Sequence, residues 1–154
     1  IEVVRTEASA SDDVRQLKKT TTVAMDYGLM KLASGDQVRL YGTPGQKRFD
    51  FMWDILTENA LGLVLMLRGN APDPVADLHT YVNEFRDFID RTSLVVGITH
   101  ADQDGWQARR QVAAELDKLG LPPCVMDTDA RERAHMAKLV KARIYGIDPF
   151  NGAE

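Results

Sequence analysis

The sequence holds a single cysteine, Cys124, among its 154 residues. One thiol excludes an internal disulfide framework and any zinc cluster built on cysteines. No apolar run approaches the ~20 residues that span a bilayer, and the start lacks the basic-then-apolar pattern of a secretory signal. Positive charge is not in excess. Nineteen Lys and Arg against 23 Asp and Glu give a formal net charge of -4, which argues against a protein built to coat nucleic acid or an anionic membrane. Internal repeats and low-complexity tracts are missing as well. So is an initiating methionine: the chain begins at Ile1, which fits either a removed start or a piece of a longer chain. What remains is ordinary for a folded protein, 44% hydrophobic and 27% charged, so disorder is not expected over most of it. The length suits one domain, 1–154, and a cytoplasmic location is the default expectation.

Short apolar runs alternate with longer amphipathic stretches. Thr22–Leu32 and Gln37–Tyr41 read as two strands, and Ala33-Ser34-Gly35-Asp36 between them has the chemistry of a hairpin turn. Ala60–Leu67 and Ser93–Ile98 are continuous apolar runs, the pattern of strands buried on both faces. Pro122–Met126 is a shorter, weaker run. Helical spacing of apolar residues predicts helices over Pro74–Arg91, with Asp73 as N-cap beside Pro74, over Trp106–Leu119, with Gly120 as C-cap, and over Arg131–Ile144. Residues 148–154 read as a loose tail. Strands alternating with helices imply βαβ units and a parallel sheet covered on both faces, with the early hairpin as an antiparallel edge. Such sheets bind ligands where loops leave the carboxyl ends of the strands.

Four segments near strand ends carry candidate chemistry. Gly42-Thr43-Pro44-Gly45-Gln46 combines a tight turn, a glycine that lets backbone approach a ligand, and a glutamine suited to orienting a water for attack on phosphate. Read alone, it is more simply a surface turn, since Pro-Gly turns are common. Thr99-His100-Ala101-Asp102 ends in a carboxylate able to accept two N–H groups from a purine edge, or simply to start a helix. Asp127-Thr128-Asp129-Ala130-Arg131 opens the final helix, and its plain reading is an N-cap box on Thr128 or Asp129. Lys18-Lys19-Thr20-Thr21-Thr22 sets hydroxyls beside positive charge, which suits phosphate and magnesium, or a solvated loop.

Their order and spacing resemble those of the Ras-like small GTPases, in particular a bacterial group of predicted ATP/GTP-binding proteins with the signature TTTVAMDYG…YGTPGQ. The resemblance runs from about Thr20 to Ile144. It implies an α/β, P-loop-NTPase-like, doubly wound and mostly parallel sheet with one antiparallel edge strand, and a nucleotide-dependent switch that binds GTP or GDP with Mg2+ and hydrolyses GTP, or alternatively ATP. Thr22 resembles the threonine of the first switch that senses magnesium and the γ-phosphate. Gly45 resembles the second-switch residue whose N–H meets that phosphate, and Gln46 the residue that positions the water. Thr99, His100 and Asp102 are similar to the guanine-reading motif, with Asp102 as base reader. Thr128, Ala130 and Arg131 look like the loop whose backbone N–H, here that of Ala130, meets the guanine carbonyl. The resemblance further implies a regulatory or effector protein that reads the switch segments 18–27 and 42–53.

The chain also departs from the family's pattern. It contains no GxxxxGK[ST] phosphate loop, the element that cradles phosphates and reaches them with a lysine. The loop and the first strand of the fold are expected upstream of Ile1, in a longer chain of roughly 170–200 residues. Ile1-Glu2-Val3-Val4 is then expected to end the helix after that loop, rather than to form a strand. Gly42 stands where most of the family has an aspartate, and His100 where it has a lysine. A second class therefore stays open, a pseudo-GTPase interaction module that does not hydrolyse nucleotide. A phosphoacceptor of the response-regulator kind is disfavoured, because the acids are scattered.

Other residues have plain readings. Phe49, Phe51, Met52 and Trp53 fit a short packed helix or a partner-binding patch. Cys124 reads as a small buried hydrophobe. His79 and His135 sit on helices without metal-spaced partners. Arg109-Arg110 and Lys138, Lys141 and Arg143 read as solvated helix faces.

Overall fold

The computed structural model describes residues 2–6, 25–42, 50–101 and 105–145. The chain divides into two compact units, Ile1–Asn59 and Ala60–Glu154.

In the first unit, strands β1 (Glu2–Thr6), β2 (Met25–Lys31) and β3 (Gln37–Gly42) form an antiparallel sheet in that order. The predicted hairpin is present. Leu32 N–H donates to the Asp36 carbonyl at 2.9 Å and Gly35 N–H to the Leu32 carbonyl at 3.0 Å, which closes the turn. Tyr27 and Tyr41 are register partners on β2 and β3, and their rings pack with centroids 5.3 Å apart, a stabilising cross-strand aromatic pair. The start of the chain corrects the expectation. Residues 2–6 are not the end of a helix but an edge strand, with Val3 opposite Gly28 and Val4 opposite Tyr27. Adjacent β-branched valines favour a pleated surface, and so short an apolar run has no helical period to oppose it. Helix α1 (Asp50–Thr57) follows β3.

The second unit is α/β. Strands β4 (Leu63–Arg68), β5 (Leu94–Thr99) and β6 (Val125–Asp127) form a parallel sheet in the order 4-5-6. Helices α2 (Pro74–Glu84) and α3 (Arg86–Arg91) connect β4 to β5. Helix α4 (Gly105–Lys118) connects β5 to β6, and α5 (Arg133–Tyr145) follows β6. Among the described residues the strands pair in two three-stranded sheets, the expected parallel one in the second unit and an antiparallel one in the first. Hydrophobic pattern specifies which strands are buried, but not which edges join.

Strand alternation sorts the core into two faces. Val64 and Val95 are register partners, as are Met66, Gly97 and Met126 across the three strands. On this face α5 contributes Met136, Leu139 and Ala142. A Cβ at Gly97 would lie 2.8 Å from Met66 Sδ and 2.9 Å from Leu139 Cδ1, so both side chains would have to shift to admit one. The alternate residues Leu65, Leu67, Val96, Ile98 and Val125 are also buried, which requires cover on the opposite face. Helices α2 and α4 supply it. They pack against each other and the sheet, burying Leu78, Val82, Val112 and Leu116.

Local signals hold well here. Asp73 Oδ1 accepts the Ala76 N–H at 2.9 Å with Pro74 in the first helical turn, as an N-cap should. At the C-terminal end of α4, Gly120 adopts φ +71. Its N–H donates to Asp117 O, and Leu121 N–H to Leu116 O, the paired bonds of a Schellman end. The helix expected over 74–91 is interrupted at Phe85, whose ψ of 14° leaves the helical range. The buried stripe nevertheless runs through it, from Leu78 and Val82 to Phe85, Phe88 and Ile89.

Helices α2 and α4 are also tied by side chains. His79 Nε2 lies 2.9 Å from Glu115 Oε1, and Lys118 Nζ donates to Glu115 Oε2 at 3.0 Å, so His79 has a partner that its sequence position did not reveal. The Lys118 hydrogen bond, then that of His79, holds the Glu115 carboxyl below its ordinary value of 4.5. A depressed folded-state pKa stabilises the fold above the unfolded value and loses that contribution as pH falls through the folded one. Glu115→Gln is therefore expected to lower the urea midpoint at neutral pH, with the gap to the parent closing in the acid range below 4.5. A gap that stays constant with pH would contradict this.

Candidate functional site

Parallel strands deliver their carboxyl ends to one edge, and register fixes which loop residues meet there. Arg68 at the end of β4 is opposite Thr99 at the end of β5, and Ile98 is opposite Asp127 at the end of β6. The segments Thr99-His100-Ala101 and Asp127–Arg131 consequently emerge side by side. Of the residues singled out in the sequence, Thr99, His100, Thr128, Ala130 and Arg131 lie here. Thr22, Gly45, Gln46 and Asp102 lie outside the described residues, as do the side chains of Phe51, Met52 and Trp53.

Thr99 joins β5 to β4. Its hydroxyl donates to the Leu67 carbonyl at 3.2 Å, and its carbonyl accepts the Gly69 N–H at 2.7 Å. With its one proton on Leu67, that hydroxyl acts as acceptor in its 3.1 Å contact with His100 Nδ1. In the neutral ring that contact places the proton on Nδ1 and leaves Nε2 as an acceptor. The residue is exposed and has φ 54, the sole non-glycine with positive φ among the described residues. Histidine tolerates this left-handed region better than most side chains.

Thr128 is 4% exposed. Its N–H donates to Ile98 O at 2.8 Å and its hydroxyl to Met126 O at 3.2 Å, so both groups serve the fold and shape the loop. The expected capping box is not what forms. Asp129 Oδ1 accepts the Arg131 N–H at 2.9 Å, an Asx-type turn, and Glu132 N–H donates to Asp129 O at 3.0 Å. Helix α5 then begins at Arg133, two residues later than its apolar spacing suggests.

The loop is stitched by charge. Arg131 grips Asp129 with both arms, Nε to Oδ1 at 2.9 Å and a terminal nitrogen to Oδ2 at 2.7 Å. That guanidinium hydrogen bond, with the Arg131 backbone N–H, holds the Asp129 carboxyl well below the usual carboxylate range. Arg109 donates to Asp127 Oδ2 at 2.8 Å, pinning the first turns of α4 to the end of β6, so it is no idle solvated side chain. Beside it Arg110 lies over the exposed Trp106 ring, 5.6 Å from its centroid. Arg143 also departs from a solvated face and donates to the Leu61 carbonyl.

Ala130 is exposed, and among the described residues no group accepts its N–H. The neighbouring Asp129 N–H donates to His135 Nδ1 at 3.1 Å. Sequence reasoning missed His135, because a bond spanning six positions between loop and helix has no periodic signature. Among the described residues, no three His, Cys, Asp or Glu side chains gather at metal-binding distance, and no helix is long and apolar enough to cross a membrane.

No protein-family model matches the chain, and no curated protein matches it.

Proposed function

We propose that the chain is a nucleotide-dependent switch that binds GTP with Mg2+ and hydrolyses it in the cytoplasm. The observation that carries this reading is the meeting of two segments at one sheet edge, Thr99-His100-Ala101 and Asp127–Arg131, through the β5–β6 register. They are the two segments whose residues suggest a purine reader, and carboxyl-edge loops are where doubly wound sheets hold ligands. On this reading the parallel sheet belongs to a P-loop-NTPase-like fold. Asp102 reads the base edge, the Ala130 N–H, which no described group accepts, meets the base carbonyl, and a neutral His100 accepts at Nε2 from a ribose or base donor. Thr99 and Thr128 act by shaping their loops, since their hydroxyls are spent inside the fold. Gly45 and Gln46 serve the γ-phosphate and the attacking water. Thr22 is the candidate magnesium ligand, and the ion supplies charge neutralisation at the phosphates. A regulatory or effector protein reads segments 18–27 and 42–53.

The absence of GxxxxGK[ST] from these 154 residues, with Gly42 in place of an aspartate, favours a second reading, a pseudo-GTPase interaction module. Fluorescent-nucleotide titration of the 154-residue chain, and in parallel of the full reading frame that encodes it, separates them. Magnesium-dependent binding of GTP over ATP, with phosphate release, is the expected result. Binding without release favours the module, and no binding by either protein removes the nucleotide reading.

A further inference from the structure

We propose that His135 is a positioning residue for the 128–131 loop: its Nδ1 accepts the Asp129 N–H and so selects the adjacent Ala130 N–H as the donor left for a ligand. What the loop binds rests on the nucleotide reading above, whereas the positioning itself rests on geometry alone.

Backbone donors must be satisfied by protein or solvent, and the loop can be accounted for group by group. The Thr128 N–H goes to Ile98 O, the Arg131 N–H to Asp129 Oδ1 and the Glu132 N–H to Asp129 O. Two successive donors remain, those of Asp129 and Ala130. His135, in the first turn of α5, takes the former at 3.1 Å. A backbone N–H can only donate, so Nδ1 must be the unprotonated ring nitrogen and the proton sits on Nε2. The Asp129 carboxylate is meanwhile engaged by Arg131, which prevents it from competing for the ring. Rotation of the 128–129 segment away from His135 would expose the Asp129 N–H and redirect that of Ala130. The imidazole thus makes one loop conformation the preferred one and reduces the ordering that a ligand would otherwise have to impose.

Position 135 is exposed and helical, so substitution there leaves the core intact. Asparagine places a carbonyl oxygen where Nδ1 stood, whereas alanine removes the acceptor. In 1H–15N spectra, His135→Ala is expected to shift the Asp129 amide and speed its hydrogen exchange, and His135→Asn to restore both. GTP affinity is expected to fall about five- to tenfold in His135→Ala, the worth of one hydrogen bond, with the rate at saturating nucleotide unchanged and affinity recovered in His135→Asn. An Asp129 amide indifferent to His135→Ala overturns the positioning. So does an amide that moves while the affinity of a nucleotide-binding parent does not. If the parent binds no nucleotide, the functional reading fails on its own, and the amide measurements still decide whether His135 holds the loop.

Discussion

Leu139→Ala is expected to cost about 2–4 kcal/mol of folding stability. Leu139 is 0% exposed and sits at the centre of the cluster with Val95, Met126 and Ala142, its Cδ1 lying over Gly97. Two of its neighbours, Gly97 and Ala142, have no side chain that can swing into the space. Three others, Met66, Met126 and Met136, do, and methionine's flexible thioether fills irregular gaps. Partial refilling keeps the expected loss below the top of the range seen for such truncations. Urea unfolding with an unchanged slope measures it directly. Leu139→Met should cost less than about 1.5 kcal/mol, because volume is nearly conserved. A loss under about 1 kcal/mol for the alanine variant would mean that α5 is not packed on this face as described.

Gln46→Ala is expected to slow GTP turnover by about two orders of magnitude, the cost of losing one well-placed polar group at a developing charge. Affinity for GTP should change little, since a water-positioning residue acts mainly in the transition state. Single-turnover phosphate release, beside nucleotide titration of the same variant, resolves the two quantities. Unchanged release would remove Gln46 from the mechanism. Equal loss of binding and turnover would instead make it a structural part of the segment that follows β3. The test is demanding because catalysis of phosphoryl transfer is mostly positioning and charge stabilisation, so few residues carry large effects.

The candidate site was legible to the extent that its groups sit at strand ends. Thr99, His100, Thr128, Ala130 and Arg131 were singled out because each follows an apolar run, and the register of β5 with β6 places their segments together. Their roles were less legible. Thr128 reads in sequence as a cap or a ligand contact, but its hydroxyl is buried and bonded to Met126 O. Arg131 reads in sequence as part of a ligand loop, but its guanidinium is clasped to Asp129. His135 carried no signal at all.

The difference follows from how far each interaction reaches along the chain. The sequence by itself determined the order of strands from β2 onward and the helical segments between them, though not the break at Phe85, together with the Asp73 cap, the Gly120 helix end and the 33–36 turn. Each is closed by hydrogen bonds within a few residues, so composition and spacing suffice to specify it. Tertiary structure alone decided that residues 2–6 form a strand, since only pairing with β2 distinguishes it from a helix end. It also decided that the strands form two sheets, and that His79 meets Glu115, Arg109 meets Asp127, Arg143 meets Leu61 and His135 meets Asp129. Those contacts join segments whose separation follows no helical or strand period, and they exist only once packing of the apolar faces has brought their polar edges within reach.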